Sequence, residues 1–317
     1  MTQKIDMQAV VPSDLDDQRF DQIAAQLFPD FSRSKLQGWI KDGQLTADGK
    51  VFKPREKLFA GTTLDLQAEL EDEVSMAPED IPLDIIFEDD DIIVLNKPAG
   101  LVVHPAAGHP SGTLVNALLN HLPEMAQLPR AGIVHRLDMD TSGIMVVAKT
   151  LLAHGSLVNH LQERTVTREY EAVCMGVMIG GGTVDKQMGR HPKDRKKMAV
   201  LEFGGKPAIT HYRVAERFAS HTHVYVNLET GRTHQIRVHM AHIKYPLVGD
   251  AVYAGRPKIP KHAEMPLVDG LRAFPRQALH ARKLKLIHPR SGKTMQWSVP
   301  TPQDLIDLLA LLRQYDR

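Results

Sequence analysis

The chain has 317 residues, of which 43% are hydrophobic, 39 are Lys or Arg and 38 are Asp or Glu, a composition typical of a globular protein of about two domains. Its single cysteine, Cys174, excludes an intrachain disulfide framework and a thiolate zinc cluster, so we expect a reducing, cytoplasmic compartment. The N-terminal stretch MTQKIDMQAVVPSD lacks a signal-peptide pattern, and no apolar run approaches the ~20 residues of a membrane-spanning helix.

The acidic residues are concentrated in one part of the chain. From Leu58 to Asn96 there are twelve acids and no Lys or Arg, so the remaining residues carry an excess of 13 positive charges. A near-neutral total can therefore conceal a basic surface that contacts phosphate groups. The alternative interpretation is an acidic linker beside charges that are spread evenly over the surface.

The first predicted elements are two short helices and a turn. Residues 1–17 are polar and are predicted to form a flexible N-terminus. Apolar residues then recur at helical spacing over residues 20–27, and Pro29 ends that helix. Ser32 can cap a second helix, and LTADGKVF predicts a tight Asp-Gly turn between short β segments.

This N-terminal pattern resembles the S4 RNA-binding domain, through RFDQIAAQL, SRSKLQGWIKDGQLTADGK and AGTTLDL. We assign residues 18–67 to an S4-like domain, in which Arg33 and Lys35 are predicted to contact RNA; a generic small basic domain is the alternative. The acid-rich residues 68–82 include two prolines and are predicted to form a linker. Residues 83–317 then form the larger domain.

The larger domain is predicted to be strand-rich. Thr113 can cap a helix that begins at Leu114. Strands are predicted around 132–137, 143–149, 168–176, 198–204, 208–216 and 222–229, and helices near 151–163, 233–243 and 301–314. Many strands are separated by hairpin-length gaps, so the predicted fold class is α+β with a mostly antiparallel sheet.

Two carboxylates lie in a polar turn between strand-like runs in GIVHRLDMDTSGIMVVA, residues 132–148. A carboxylate flanked by core residues is unfavourable unless it is paired, hydrogen-bonded or used in chemistry. For Asp138 or Asp140 alone, hydrogen bonds from the turn's own N–H groups would be a sufficient explanation.

A candidate partner occurs in ETGRTHQIRVHMAHI, residues 229–243. Thr233 can cap a helix whose apolar stripe includes Ile236 and Met240, which places Arg237 at the margin of that stripe. A partly buried Arg needs an anion, so an Asp138–Arg237 ion pair is predicted. Such a pair would lower the pKa of the carboxyl group and keep it ionised at neutral pH.

Tyr170 lies in TVTREYEAVCMG, a segment of alternating character. It can be an ordinary strand tyrosine. In a site for a nucleobase, its ring could stack on the base while its hydroxyl transfers a proton.

A basic, turn-rich segment, MGRHPKDRKKMAV, covers residues 188–200. It is either a solvated surface loop or a loop that binds a phosphate backbone. The residues predicted to contact RNA there are Arg190, Lys193, Arg195, Lys196 and Lys197.

Common cofactor motifs are missing from the sequence. Neither HExxH nor a Cys-pair spacing is present, and there is no Walker loop or GxGxxG. We therefore expect no metal site.

Five motifs together resemble the RNA pseudouridine synthases of the ribosomal large-subunit type. In chain order they are DIIVLNKPAGLVVHP (91–105), GIVHRLDMDTSGIMVVAKT (132–150), REYEAVCMG (168–176), LETGRTHQIRVHMAHIKYPLVGD (228–250) and LHARKLKLIHP (279–289). HRLDxxTSG combined with GRTHQIRVH is the most specific part of the resemblance. Two departures are mild, Met139 where a basic residue is common and Arg168 where Lys is common.

The resemblance implies roles for four residues. The family's catalytic Asp corresponds to Asp138, its active-site tyrosine to Tyr170 and the carboxylate's arginine partner to Arg237. Arg136 matches the Arg that can fill the space left by a flipped base. The implied reaction converts uridine to pseudouridine without cofactor or metal, and Asp138 would either attack C1′ or remove the C2′ proton to form a glycal.

The resemblance also implies a partner, a stem-loop of large-subunit ribosomal RNA called helix 69. Two alternatives stay open, a related synthase for another ribosomal or transfer RNA site and a catalytically silent RNA-binding assembly factor. No DNA or membrane partner is expected, and a monomer is the default.

Overall fold

The computed structural model describes residues 3–29, 31, 33–70, 77–106, 108–194, 197–255, 259–260 and 262–317. The chain forms two compact units, Met1–Ser75 and Met76–Arg317. Within the described ranges, every helix is too short or too polar to cross a membrane.

The described part of the smaller unit contains two helices and five strands. In chain order they are β1 (Gln3–Val10), β2 (Gln18–Arg19), α1 (Phe20–Leu27), α2 (Arg33–Lys41), β3 (Leu45–Ala47), β4 (Lys57–Leu58) and β5 (Thr63–Leu70). Strand β5 is the centre of an antiparallel sheet in the order β1-β5-β3, and β2 pairs with β4.

The core of the smaller unit follows the predicted helical spacing. Phe20 and Ile23 of α1 are fully buried with Leu36 and Ile40 of α2 and with Leu64 of β5. The two predicted helices are therefore confirmed, although Ser32, the predicted cap of α2, lies outside the described residues.

Two predicted boundaries in this unit are wrong. The supposedly flexible residues 1–17 include β1, which pairs along its whole length with β5. Among the described side chains of β1, Ile5 and Ala9 pack on the core, and its backbone hydrogen bonds to the neighbouring strand need no apolar side chain. The predicted linker 68–82 begins inside β5, which continues to Leu70.

The larger unit is built around one twisted sheet. Its strands are β6 (Ile85–Glu88), β7 (Ile92–Lys97), β8 (Ser142–Ala148), β9 (Thr167–Met175), β10 (Gly182–Asp185), β11 (Met188–Arg190), β12 (Met198–Val200), β13 (Ile209–Arg217), β14 (His221–Leu228), β15 (Leu279–Ile287) and β16 (Thr294–Ser298). Its helices are α3 (Leu114–His121), α4 (Leu151–Gln162), α5 (Gln235–His242), α6 (Met265–Ala273) and α7 (Gln303–Tyr315).

The strand order in this sheet is β10-β13-β14-β9-β15-β8-β7-β6, with β16 on β15. Adjacent strands are antiparallel except β15 and β8. The hairpin β11–β12 is separate from this sheet. The predicted fold class, α+β with a mostly antiparallel sheet, is confirmed.

Alternate side chains of β9 pack on opposite faces of the sheet. Tyr170 and Ala172 belong to the larger apolar cluster with α3, α4 and α5. Val173 and Met175 instead pack with α6 and α7. Because successive strand side chains point to opposite faces, the two sets of helices cover different sides of β9.

The strand predicted at 132–137 is wrong. Pro129–Gly132 forms a 3₁₀ turn, and only Ile133 makes an isolated bridge, to Val147. The backbone N–H of Val146 donates instead to the Nε2 atom of His135, at 3.1 Å. The His135 side chain thus serves as a hydrogen-bond acceptor for β8 beyond the two residues, Ser142 and Gly143, that pair with β15. Hydrophobic periodicity could not reveal this contact.

Other predictions differ in detail. The strand expected at 198–204 is reduced to β12, and α6 was not predicted. The helix expected at 233–243 begins at Gln235, because the preceding His234 has a left-handed backbone with φ 57°. Thr233 is therefore not its cap.

We expect a fragment of residues 76–317 to fold without the smaller unit. Its sheet and apolar clusters contain only its own residues, and a separate core is what independent folding requires. Urea unfolding followed by circular dichroism should show one cooperative transition. A fragment without a cooperative transition would contradict this domain boundary.

Candidate active site

A cleft of about 550 Å³ opens on the α5 side of the large sheet. It is lined by Asp138 from the turn before β8, Arg168 and Tyr170 from β9, and Arg237 from α5. Arg136 also lines the cleft and is exposed. The structure therefore brings together the three residues that carry the predicted chemistry.

Arg237 links two carboxylates. Its Nη1 atom donates to the Oδ2 atom of Asp138 at 3.0 Å, which confirms the predicted ion pair. Its Nε and Nη2 atoms donate to the two carboxylate oxygens of Asp250 at 2.7 and 3.0 Å. The Asp250 side chain is 0% exposed, the Arg237 side chain 7% and the Asp138 side chain 16%.

The charges around Arg237 determine its protonation. Burial alone would lower the pKa of Arg237, but hydrogen bonds and charges from Asp250 and Asp138 raise it above its ordinary value. The guanidinium is therefore a permanent cation between two acids. Asp250 was not predicted, although its position after the buried run Leu247–Val248 was a signal.

Lys97 holds the turn that carries Asp138. Its Nζ atom donates to the carbonyl oxygens of Pro98, Leu101 and Met139 at 2.7–2.9 Å. Burial lowers the pKa of Lys97 to about 7, while the charges of Asp140 and Asp138 act in the opposite direction. Sequence reasoning missed Lys97, which lies at the end of a strand-like run, because its partners are backbone carbonyl groups, which residue types do not specify.

The same turn is held from its other side by residues that precede β15. Arg276 donates to the carbonyl oxygen of Asp140 at 3.2 Å and binds Asp304 through two nitrogens. Gln277 donates to the Thr141 hydroxyl at 3.1 Å. The backbone of the turn is therefore fixed independently of the Asp138 carboxylate.

Gly143 allows the turn to approach β15. Its φ is +121°, and a β-carbon there would lie 2.2 Å from the carbonyl oxygen of Ala281. Only glycine fits such a close parallel contact. The position of Asp138 thus depends on this glycine.

Tyr170 and Arg168 form the wall of the cleft on β9. Tyr170 is 6% exposed, and burial raises the pKa of its hydroxyl. The Nη2 atom of Arg168 lies 3.4 Å from the carbonyl oxygen of Glu229, and its buried Nε atom has no hydrogen-bond partner among the described residues.

His234 was not singled out from the sequence. Its Nε2 atom lies 3.9 Å from the Oδ1 atom of Asp138, and its Nδ1 atom lies 2.7 Å from the Tyr253 hydroxyl. The GRTHQIRVH motif contains this histidine, but its orientation follows from the backbone conformation at the start of α5.

The residues predicted to contact RNA are distributed over both units. Arg33 binds the fully buried Asp21, so part of its function is structural. The Lys35 Nζ atom lies 5.5 Å from the Trp39 ring. These contacts leave the proposed RNA-binding roles untested.

The basic segment of the larger unit contains the hairpin β11–β12. Arg190 and Lys193 are exposed, and Lys197 lies 3.8 Å from Asp194. Arg195 and Lys196 lie outside the described residues. RNA binding by this segment stays a prediction.

A cluster of possible metal ligands lies away from the cleft. Asp89, Asp91 and His288 have their ligand atoms within 4.8 Å of one another. However, both oxygens of Asp91 accept hydrogen bonds from Arg290, at 2.5 and 2.7 Å. His288 donates to Asp89, so internal partners account for this cluster.

Comparisons with known proteins agree with these motifs. Residues 91–242 match the family described as RNA pseudouridylate synthase. The chain is 60% identical to a ribosomal large subunit pseudouridine synthase D of Pseudomonas aeruginosa over 99% of this chain and 98% of the relative. A relative of the same name from Escherichia coli (strain K12) is 54% identical, over 99% of this chain and 96% of the relative.

Two solved human structures share the fold. RNA Pseudouridylate Synthase Domain Containing 4 matches with a TM-score of 0.56 and 25% identity, covering 72% of this chain and 92% of that chain. RNA Pseudouridylate Synthase Domain Containing 1 also has a TM-score of 0.56, with 27% identity over 74% of this chain and 88% of that chain.

We expect Arg237→Met to lower the free energy of unfolding by about 3–5 kcal/mol, because it leaves two buried carboxylates without their cation. Urea unfolding would measure the change. Arg313→Met is the matched control, since Arg313 binds Glu216 at 2.8 Å but is 54% exposed, and it should change stability by at most about 1 kcal/mol. Equal losses of unfolding free energy in the two variants would contradict a larger stabilising role for the buried ion pair.

Proposed function

The chain belongs to the RNA pseudouridylate synthase family, and on that premise we propose that it isomerises specific uridines of large-subunit ribosomal RNA, with Asp138 as the reacting carboxylate. The observation that carries the proposal is the Asp138–Arg237 pair, 3.0 Å long, in a cleft shared with Tyr170. A protein that bound RNA without catalysing a reaction would not need a carboxylate oriented by a buried cation.

The reaction balances without an added reagent. The bond between C1′ and N1 of uracil breaks, the base turns, and a bond forms between C1′ and C5. The C5 proton is lost and N1 gains one, so the product is an isomer and nothing is oxidised or reduced. We therefore propose that no cofactor takes part.

Asp138 can serve either mechanism of this isomerisation. Its Oδ2 atom is bound to Arg237, while Oδ1 does not bind that guanidinium and can approach the ribose. A carboxylate in this position can attack C1′ directly or remove the C2′ proton to form a glycal. The first route places the carboxylate against C1′, and the second places it against the hydrogen on C2′.

Tyr170 is proposed to contact the uracil and to help move the C5 proton. Its raised pKa keeps the phenol protonated at neutral pH, so it is a poor base by itself. It can accept a proton only while passing its own to another acceptor. The buried ring also offers the base an apolar surface for stacking.

The substrate proposal rests on the relatives and on the basic residues. The bacterial relatives are named ribosomal large subunit pseudouridine synthase D, and helix 69 is the stem-loop that we propose for this chain. The target uridine must leave its stack to enter the cleft, and the exposed Arg136 at the cleft is proposed to fill the vacated space.

The smaller unit is proposed to be an S4-like RNA-binding domain. A cytoplasmic location and a monomeric state stay predictions.

We expect wild-type protein to release tritium from a large-subunit rRNA transcript labelled at uridine C5. Asp138→Asn should abolish release, because the amide is neither nucleophile nor base. Asp140→Asn is the matched control, since Asp140 lies in the same turn and is half-buried; it should retain activity.

Two results would contradict the proposal. Release by Asp138→Asn at the wild-type rate would show that another group reacts. Absence of release by wild type from both free rRNA and ribosomal particles would favour a transfer RNA substrate or a silent binding factor, and a labelled transfer RNA transcript would distinguish the two.

We expect removal of residues 1–75 to weaken RNA affinity by about tenfold, because the fragment loses the Lys and Arg side chains of the S4-like domain that are proposed to contact phosphates. Filter binding at fixed salt would compare the fragment with the full chain. Unchanged affinity together with unchanged site choice would contradict an RNA-binding role for the smaller unit.

A further inference from the structure

His234 has an unusual backbone conformation beside the reacting carboxylate. Its φ and ψ are 57° and 22°, in the left-handed region immediately before α5. A residue with a β-carbon adopts this conformation only when its surroundings enforce it, and such residues are concentrated at functional sites. The consequence here is that the imidazole ring is directed into the cleft.

The ring lies between Tyr253 and Asp138. Its Nδ1 atom is 2.7 Å from the Tyr253 hydroxyl, and its Nε2 atom is 3.9 Å from the Oδ1 atom of Asp138. The two rings meet edge to face, with centroids 5.6 Å apart. The Tyr253 ring also contacts the Arg237 guanidinium, whose central carbon lies 5.1 Å from the ring centroid.

The hydrogen bonds of Tyr253 indicate which nitrogen of His234 carries the proton. The Tyr253 oxygen accepts a hydrogen bond from the backbone N–H of Met198, at 3.0 Å. Its own hydroxyl hydrogen is then available for the Nδ1 atom of His234. With this hydroxyl as the donor, the imidazole hydrogen lies on Nε2, the nitrogen that faces the carboxylate.

The charges around the ring agree with a neutral imidazole of this form. Burial lowers the pKa of His234, the charges of Asp138 and Asp250 oppose that effect, and those of Arg237 and Arg136 add to it. A neutral ring has one N–H, and a carboxylate attracts that hydrogen but repels a nitrogen lone pair.

We propose that His234 is a positioning residue that, supported by Tyr253, directs the Oδ1 atom of Asp138 toward the ribose. Arg237 holds Oδ2, and the Nε2–H group of His234 faces Oδ1 from the other side. A distance of 3.9 Å is longer than a hydrogen bond, so Oδ1 keeps its lone pairs for the substrate. This inference rests on the proposed function of Asp138.

Two substitutions separate positioning from backbone structure. The amide nitrogen of His234→Gln can occupy the place of Nε2, whereas that of His234→Asn can occupy only the place of Nδ1. Asparagine tolerates left-handed backbone better than glutamine. A purely structural role therefore favours the Asn variant, while a positioning role favours the Gln variant.

We expect His234→Gln to retain the single-turnover rate of tritium release within about tenfold, and His234→Asn to lose about a hundredfold, the effect typical of a misplaced reacting group. RNA affinity should stay the same in both variants. The Asn variant should be at least as resistant to urea as the Gln variant. Equal rates, or a faster Asn variant, would overturn the proposal.

The role of Tyr253 is tested in the same assay. Tyr253→Phe removes the hydroxyl that donates to Nδ1 and should slow release about tenfold, with unchanged RNA affinity. Tyr245→Phe, a substitution of the same kind in a tyrosine that packs against the larger apolar cluster, should leave the rate unchanged. Equal rates for the two variants would overturn the role of Tyr253.

Nitrogen-15 NMR of the histidine rings in the full chain tests the inference without any substrate. We expect the His234 signal, assigned by its loss in His234→Gln, to show hydrogen on Nε2 in wild type and partial transfer to Nδ1 in Tyr253→Phe. Hydrogen on Nδ1 in wild type would overturn the proposal.

The Asp138→Asn variant distinguishes failure of this inference from failure of the proposed function. An active Asp138→Asn variant would contradict the proposed function itself. An inactive Asp138→Asn variant beside fully active His234 variants would contradict only the positioning role.

Discussion

The candidate site depends on the burial of one guanidinium between two carboxylates. Asp250 is fully buried and binds two nitrogens of Arg237, so the arginine cannot rotate without breaking both bonds. The remaining nitrogen, Nη1, is left for Asp138. A charged group this far from water is stable only with its partners in place, and the orientation of the Asp138 carboxylate follows from that requirement.

The backbone of the Asp138 turn is held by a second set of contacts. Lys97 binds the carbonyl oxygen of Met139, and Arg276 binds that of Asp140. Gly143 then brings the chain against Ala281 of β15. The side chain and the backbone of Asp138 are thus fixed by different elements.

The sequence predicted the contact between Asp138 and Arg237 but not the contacts that hold the Asp138 turn in place. An arginine at the margin of a predicted apolar stripe needed an anion, which was enough to predict the contact of Arg237 with Asp138 across 99 residues. Nothing local marked Lys97 as buried, because two of its three carbonyl partners come from irregular backbone that sequence patterns do not specify.

The strand predicted at 132–137 failed for a related reason, since a His135 nitrogen takes the place of a backbone acceptor. Strand β1 was missed because its pairing partner, β5, lies more than fifty residues away.

The two oxygens of Asp138 have different surroundings, and this difference bears on the chemistry. Oδ2 accepts a hydrogen bond from the permanent cation of Arg237. Oδ1 faces the His234 imidazole at 3.9 Å, beyond hydrogen-bond distance. Because the protein groups are already in place, little reorganisation is required of the enzyme during the reaction. The conformational change then falls on the RNA, whose uridine must leave its stack and turn within a cleft of about 550 Å³.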